Sequence, residues 1–228
     1  MTDQPSEPKQ RQRRPSKRAM ASRERILDAA ERVFARGGFD GATIRDIASE
    51  ADVPVGLVHH HGGGKEALFG AVIDRRADTI SQLRLQALEQ ARAADALTTK
   101  AILRSFIEPY VEKAMGGDVQ WLSYVRLVAI VSSDRRWHEL SEKYFDPAAG
   151  ACLQALAELH PQAQREHLAE GYVYAISAML ALITSQWRID ALAGRQAGDI
   201  EGLLAFCTAG FEARLAHRGA PRLEYPRI

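Results

Sequence analysis

The fold is decided by ILDAAERVFARGGFDGATIRDIASEADVPVGLVHHHGGGKEAL, residues 26–68, where short helical segments alternate with tight turns. Thr43 and Asp46 form a start signal like a capping box at the beginning of a short helix. Pro54 suits the first turn of the next helix. Asp52 stands at the corner between the two helices, where the backbone is often left-handed and Asp tolerates that conformation. The spacing predicts a helix-turn-helix, whose second helix enters the DNA major groove.

The rest of the chain is also predicted to be helical, so the fold class is all-α. Apolar residues recur at helical spacing, and glycine or proline stands between the segments. The first 20 residues contain three prolines and many polar residues, which predicts a disordered basic tail over residues 1–20. After the helix-turn-helix, the predicted helices cover 65–90, 96–115, 118–132, 136–159, 162–192 and 199–217.

Basic residues are concentrated near the N-terminus, although the 228-residue chain has a formal net charge of only +1. Eight lysines and arginines lie between Lys9 and Arg25, against one acid, Glu24. Such a block favours a polyanionic partner, with double-stranded DNA as the first candidate. A solvated tail without a partner is the alternative.

Composition argues against secretion, a membrane and catalysis. Cys152 and Cys207 are far apart and lack a partner motif, as expected in a reducing cytoplasm. No apolar run follows the basic N-terminus, and the apolar stretch 175–184 is too short for a membrane span. No nucleophile–base pair or pair of carboxylates stands at usable spacing. We therefore expect a cytoplasmic protein that is not an enzyme, carries no cofactor and binds no membrane.

Residues 58–68, VHHHGGGKEAL, look at first like a metal site or a phosphate-binding loop. Successive helical residues point in different directions, so His59, His60 and His61 do not converge on one ion. A phosphate-binding loop needs a longer glycine spacing and a Ser or Thr after the lysine. We favour imidazole and ammonium contacts to the DNA backbone instead.

A set of positions in 26–68 agrees with one known family in a single register without gaps. These positions are Ile26, Leu27, Asp28, Ala29, Ala30, Phe34, Gly38, Phe39, Thr43, Arg45, Asp46, Ile47, Ala48, Val53, Gly56, Lys65, Glu66, Ala67 and Leu68. The segment resembles the DNA-binding domain of the tetracycline-repressor (TetR) family. The resemblance implies an all-helical homodimer that represses transcription until a small ligand binds. It divides the chain into a helix-turn-helix DNA-binding domain over 21–68 and a ligand-binding and dimerisation domain over 69–228.

The resemblance implies that His59 and Lys65 contact DNA phosphates. We expect Thr43 to hold a phosphate as well. The residues expected to face bases are Arg45, Val55, Leu57 and His60, with Gly56 in the same segment. Apolar side chains in such positions can read thymine methyl groups.

Gly62 departs from the family, which usually has an aromatic residue at this position. That aromatic locks the DNA-reading helix to the next helix, and Gly62 offers no side chain to bury. We expect a less firmly held helix, in which Gly62→Phe is stabilising unless a neighbour already fills the space. Phe39 and Phe69 are the nearest aromatic candidates to fill it.

The segment DVQWLSYVRLVAIVS, residues 118–132, is apolar nearly all round, which predicts a helix in a core or beside a pocket. Arg126 lies inside it, and we expect a buried arginine, which needs an acceptor. That acceptor is either an internal carboxylate or the acidic group of a ligand. Aromatic residues are further pocket candidates, with plain core packing as the alternative: Trp121, Tyr124, Trp137, Tyr172 and Trp187. Residues 123–145 are similar to fatty-acid-sensing regulators of the PsrA type in the same family, which implies an apolar or acyl effector, including a coenzyme A ester.

Small residues recur on the last two long helices, which pair between subunits in the resembled family. The first stripe contains Gly171, Ala175, Ala178 and Leu182, and the second contains Leu203, Cys207, Gly210 and Arg214. Packing within one subunit is the alternative explanation. An alternative function is an effector-independent DNA-binding structural protein, which differs from a repressor because no ligand would release it from DNA.

Deletion of residues 1–20 is expected to leave the fold intact and to lower DNA affinity mainly at low salt. The segment holds six basic residues, and contacts that release counterions weaken as salt rises. DNA titration at two ionic strengths measures the effect. Equal affinity of both chains at low salt would mean that the tail does not touch DNA.

Overall fold

The computed structural model describes residues 17–196 and 198–216, and every regular element in these ranges is helical. The first three helices are α1 (Lys17–Gly41), α2 (Ile44–Glu50) and α3 (Val55–Gly62). The remaining α-helices are α4 (Lys65–Ala93), α5 (Thr99–Met115), α6 (Val119–Ser133), α7 (His138–Tyr144), α8 (Asp146–Leu159), α9 (Arg165–Thr184), α10 (Gln186–Ala193) and α11 (Ile200–Ala216), with a 3-10 turn at Arg135–Trp137. The all-α prediction is confirmed.

The corner between α2 and α3 has the predicted geometry. Asp52 has a φ of 51°, in the left-handed region. The Thr43 hydroxyl accepts a hydrogen bond from the Asp46 amide at 3.1 Å, and the Thr43 amide donates to the Asp46 carboxylate, which completes the capping box. Ile47 and Val58 have no exposed surface, because both helices pack on α1. These contacts confirm the helix-turn-helix.

The two ends of α1 differ from the sequence-based expectation. Residues 17–20, predicted as part of the tail, form the first turn of this helix. Residues 1–16 lie outside the described residues. The pair Gly37-Gly38 in the sequence favours a helix end, but a short helical segment continues to Gly41 after a kink at Gly38, whose φ is 67°.

The helix α4 joins the helix-turn-helix unit to the rest of the chain. It runs without a break across the predicted domain boundary between residues 68 and 69. Beyond it, α5 lies at the centre of the larger unit and packs on α4, α6, α8, α9 and α11. Ile102, Leu103 and Ile107 of α5 are at most 1% exposed.

Two of the predicted helices are too long. The range 136–159 contains a 3-10 turn, α7 and α8, because Pro147 in the first turn of α8 has no amide hydrogen to donate to α7. The range 162–192 contains α9 and α10, which are separated at Ser185, where φ is −117° and ψ is 19°. The other predicted ranges agree with the structure to within about a turn of helix.

The helix α9 is 20 residues long, and by length and composition alone it is able to cross a membrane. The expectation that this apolar stretch is too short was therefore wrong about its length. In the fold, α9 buries Leu168, Gly171 and Ala175 against neighbouring helices. Phe211 of α11 packs so closely on Gly171 that a Cβ atom there would lie 2.5 Å from the ring. The first stripe of small residues thus serves packing within one subunit, which was the alternative explanation.

A buried ion pair connects α1, α4 and α6. Glu31 of α1 has no exposed surface, and its carboxylate accepts a hydrogen bond from Arg76 Nε of α4 at 2.9 Å. Trp121 of α6 lies with its ring 4.7 Å from the Arg76 guanidinium. Burial raises the pKa of Glu31, and the hydrogen bond from Arg76 opposes that rise. The ion pair fixes how the helix-turn-helix unit sits on the larger unit.

The space beside Gly62 is already filled, and the expected fillers were wrong. Leu68 occupies it: a Cβ atom built on Gly62 would lie 2.9 Å from Leu68 Cδ1. Phe39 and Phe69 instead pack on each other, with ring centroids 5.4 Å apart. Trp137 completes their cluster, at 4.8 Å from Phe39. The chain therefore joins α3 to α4 with an aliphatic side chain supplied by α4.

Gly62→Phe is now expected to destabilise the protein by about 1–3 kcal/mol, the usual cost of overpacking a filled site. Thermal melting of the free protein measures the change. The double variant Gly62→Phe/Leu68→Ala supplies the missing space and should recover part of the loss. A melting temperature above that of the parent for Gly62→Phe alone would contradict the assignment of Leu68 as the filler.

Candidate DNA-binding interface and ligand site

One side of α3 is exposed and holds four of the eight residues predicted to contact DNA. Val55, Gly56, His59 and His60 are exposed, and Val55 keeps 40% of its surface accessible. Leu57 differs from them because it is half-buried and packs against the core. Part of the Leu57 side chain packs on the core and stabilises α3, and the rest is exposed to solvent.

Arg45 and Thr43, the two predicted DNA contacts near α2, differ in whether their side chains already have a partner. Arg45 is exposed, and within residues 17–196 and 198–216 no hydrogen bond or ion pair holds its guanidinium. Thr43 is also exposed, but its hydroxyl donates to the Asp46 carboxylate at 2.6 Å and serves the helix cap. A phosphate contact by Thr43 therefore competes with the cap, whereas a base contact by Arg45 displaces no hydrogen bond of the described residues.

The N-terminus of α4 offers a second set of donors beside α3. Gly64 is the N-cap residue and provides no side-chain hydrogen bond, so the first amides of α4 remain available. Amides at a helix N-terminus attract phosphate groups. Lys65 stands next to them, with its ammonium 3.3 Å from the Asp40 carbonyl oxygen and 4.5 Å from the Phe39 ring centre. The uncapped N-terminus was not recognised from the sequence, although GGGK indicates it.

The three histidines do not form a metal site in the structure. His59 and His60 are exposed, and the rings of His60 and His61 pack edge to face with centroids 5.0 Å apart. Within residues 17–196 and 198–216, no three His, Cys, Asp or Glu side chains come together in a way that would hold an ion. The local geometry suits hydrogen bonding to a partner outside the chain.

The residues proposed to line a ligand pocket are spread over separate places. Trp187 is 68% exposed and lines a surface cavity of about 420 Å³ together with Arg126. Trp137 packs on Phe39 and Phe69 at the edge of the helix-turn-helix unit. The other three, Trp121, Tyr124 and Tyr172, lie on the helices that surround the core of the larger unit.

The predicted burial of Arg126 is wrong. Its side chain is exposed on α6, while Tyr124, Val125 and Leu127 around it are buried. An exposed guanidinium is solvated and needs no internal carboxylate. The apolar sequence of α6 did not reveal which side of the helix faces solvent.

The buried arginine of the larger unit is Arg84 of α4, which sequence reasoning missed. It is 7% exposed, and its Nε donates to the Phe106 carbonyl oxygen at 2.8 Å. The guanidinium lies 3.8 Å from the Phe106 ring centre and 4.9 Å from that of Tyr110. A signal for it exists in the sequence, because Arg84 shares a helical face with Ile80 and Leu88, both of which are buried.

The capped corner, the left-handed Asp52 and the exposed side of α3 define a helix-turn-helix protein of the all-α class. Family models agree with both parts of the chain. Residues 26–72 match bacterial regulatory proteins of the tetR family, and residues 104–210 match the tetracyclin repressor-like C-terminal domain. The chain belongs to the TetR family, which confirms the resemblance read from residues 26–68.

Curated relatives match over a short part of their length. The transcriptional repressor AcnR of Corynebacterium efficiens is 40% identical over 65 residues, which is 27% of this chain and 35% of the relative. The transcriptional regulator UidR of Escherichia coli K12 is 38% identical over 55 residues, which is 24% of this chain and 28% of the relative. The chain thus spans about a third or less of the length of these relatives.

Solved structures agree over most of the chain and establish the fold. The hemolysin II regulator HlyIIR has a TM-score of 0.59 at 17% identity, covering 84% of this chain and 97% of that one. The multidrug binding protein EbrR, complexed with malachite green, has a TM-score of 0.57 at 16% identity, covering 86% of this chain and 98% of that one. The similarity extends through the larger helical unit and beyond the helix-turn-helix.

Lys65→Ala and His59→Ala are expected to weaken binding to all DNA sequences alike, whereas His60→Ala is expected to change sequence preference. Phosphate contacts position a protein, and base contacts specify the sequence. Loss of Lys65 should lower the slope of log affinity against log salt by about one. Titration of several duplexes at several salt concentrations measures both effects.

Lys100→Ala is the charge-matched control, because Lys100 pairs with Glu201 far from the helix-turn-helix. It should leave DNA affinity unchanged. The assigned roles would be wrong if Lys65→Ala altered which sequence is preferred.

Proposed function

We propose that the protein is a homodimeric, DNA-binding transcriptional repressor that a small apolar or acyl effector releases from a near-palindromic operator. The observation that carries this proposal is the exposed side of α3, held by a capped corner and flanked by the open N-terminus of α4. Val55, His60 and Arg45 face the bases, while His59 and Lys65 hold phosphates. The cytoplasm, where DNA is available, is the place of action, and both cysteines of the chain are free and buried.

The outer face of α9 and α11 supports the homodimer. The described part of α11 is apolar on average, yet it buries only Leu204, Cys207 and Phe211 within its own subunit. Phe206 is 71% exposed, and Tyr174 of the adjacent α9 is 62% exposed. Small residues surround them: Ser177 and Ala181 on α9, and Gly202, Ala205, Ala209 and Gly210 on α11 are exposed. A second copy of the same surface would cover this face with close helix packing.

A chain of polar contacts supports communication between the larger unit and the helix-turn-helix. Gln120 of α6 donates to the Asp28 carboxylate of α1 at 2.8 Å and accepts from Arg32 at 2.9 Å. Arg32 also donates to Glu50 of α2 at 2.7 Å. A shift of α6 on effector binding would therefore reach the helix that supports α3.

The outward-facing side of α3 predicts that the full-length chain selects a sequence with two related half-sites. Their centres should be about one helical turn apart, near 34–36 Å, or a multiple of that distance. Selection from a pool of random duplexes tests this. A selected site with one half alone, or no enrichment at all, would contradict the proposal.

Phe206→Glu is expected to convert the dimer to monomer and to weaken binding to the selected site. A charge buried without a partner in an interface is strongly unfavourable. Leu192→Glu is the matched control, because Leu192 is 77% exposed but lies on α10. Sedimentation at micromolar concentration should give a dimer for the parent and for Leu192→Glu. A parent chain that sediments as a monomer would rule out the homodimer.

A further inference from the structure

We propose that the effector is an apolar carboxylic acid in free form, whose carboxylate pairs with Arg84 at the centre of the larger unit. The proposal rests on the proposed ligand-responsive function and names the chemical class of its effector. It begins with a buried guanidinium that has no counter-charge among the residues that the structure describes.

The partners of Arg84 are neutral. A guanidinium carries five N–H donors and stays protonated in proteins. Within residues 17–196 and 198–216, Arg84 makes one hydrogen bond to a carbonyl, that of Phe106, and one weak contact to Met179 Sδ at 3.9 Å. No carboxylate of the described chain pairs with it. Arg76 of the same helix differs, because its largely buried guanidinium pairs with the Glu31 carboxylate.

The ionisable groups around Arg84 do not supply a negative charge at neutral pH. Those that act on it most are Tyr172, Tyr110, Tyr124 and Cys152. Burial raises the pKa of Tyr110, of Tyr124 and of Tyr172, and it raises the pKa of the Cys152 thiol to about 12. All four therefore remain uncharged. Burial also lowers the pKa of Arg84, but arginine keeps its proton even so.

Two hydroxyl groups near Arg84 lack partners as well. The hydroxyls of Tyr110 and Tyr124 are buried and make no hydrogen bond to any residue that the structure describes. A buried hydroxyl without a partner is costly, and a buried unpaired charge is more so. One carboxylate can accept bonds from the guanidinium and from such hydroxyls together, since its two oxygens offer several acceptor sites.

The side chains around Arg84 indicate what the rest of the ligand is. Side chains of α5 and α9 contact the Arg84 guanidinium of α4, and Tyr124 of α6 and Cys152 of α8 lie close enough to act on its charge. The Phe106 and Tyr172 rings lie 5.1 Å apart in an edge-to-face arrangement, and Met179 lies beside them. This lining is apolar and aromatic, so the acid must have an apolar body. A thioester is uncharged at its carbonyl and leaves Arg84 without a counter-charge, which favours the free acid over a coenzyme A ester.

The hydrogen bond to the Phe106 carbonyl holds the Nε side of the Arg84 guanidinium. Among the described residues, its terminal N–H groups have only the weak contact to Met179, so they can donate to an incoming acceptor.

Calorimetric titration of the full chain without DNA tests the proposal with four probes: decanoate, phenylacetate, decanol and decanoyl-coenzyme A. We expect at least one of the two acids to bind, and to bind more tightly than decanol and decanoyl-coenzyme A. Decanoate and phenylacetate distinguish an aliphatic from an aromatic body. Failure of both acids to bind, or equal affinity for decanoate and decanol, would overturn the proposal.

Arg84→Gln should weaken binding of the acid by about 10- to 100-fold, the usual worth of a charge-assisted hydrogen bond, and should leave the affinity for decanol unchanged. Arg126→Gln removes the same charge from the exposed arginine of α6 and should have no effect. The reverse result, with Arg126→Gln abolishing binding and Arg84→Gln not, would place the anchor at Arg126 and overturn the proposal.

Tyr110→Phe is a second variant that tests the proposal if Arg84→Gln does not fold. It removes a hydroxyl that has no partner, so the free protein should melt at the same temperature or higher, while affinity for the acid falls. A purely structural role for these groups gives no loss of acid affinity, and that result would contradict the proposal. Since no DNA is present, these results are independent of whether the chain selects an operator.

Discussion

The Glu31–Arg76 ion pair is the interaction on which the arrangement of the two helical units depends. A carboxylate with no exposed surface needs a partner, and removing one member of such a pair typically costs about 3–5 kcal/mol. Arg76 also lies against Trp121, so α1, α4 and α6 meet at one point. The other ion pairs between the units, such as Arg136–Asp40, are partly exposed and individually weaker. The aromatic cluster of Phe39, Phe69 and Trp137 adds a buried apolar contact between the same units.

The helix α4 links the proposed effector site to the proposed DNA interface. Lys65 at its start, Arg76 at the ion pair and Arg84 beside the core stand on one uninterrupted helix. Lys65 and Arg84 are about 28 Å apart along its axis at the usual rise per residue. A ligand that draws Arg84 or Tyr124 toward itself acts on α4 and α6, the two helices joined at Trp121 and Arg76. For this to change DNA affinity, the ligand must favour one arrangement of these helices over another.

Local chemistry made much of the DNA-binding unit predictable. The Thr43–Asp46 cap and the left-handed Asp52 follow from residues a few positions apart, so the sequence alone indicated them. Long-range packing decided the rest. Leu68 fills the space beside Gly62 because of how α4 approaches α3, and no local pattern reports that distance. Arg126 was expected to be buried because α6 is apolar nearly all round, and its sequence does not show which side faces solvent. Arg84 is different, because it lies four residues from both Ile80 and Leu88, and this helical spacing indicates its burial.

The most direct measurement of coupling between Arg84 and the DNA interface is the affinity of the full chain for decanoate with and without its selected DNA. Linkage requires that DNA change the affinity for the acid by the same factor as the acid changes the affinity for DNA. We expect bound DNA to weaken decanoate binding by about 5- to 150-fold, the usual range of such coupling, with the same factor in the reverse experiment. Equal decanoate affinity in the free and DNA-bound protein would contradict the coupling of the two sites through α4 and α6.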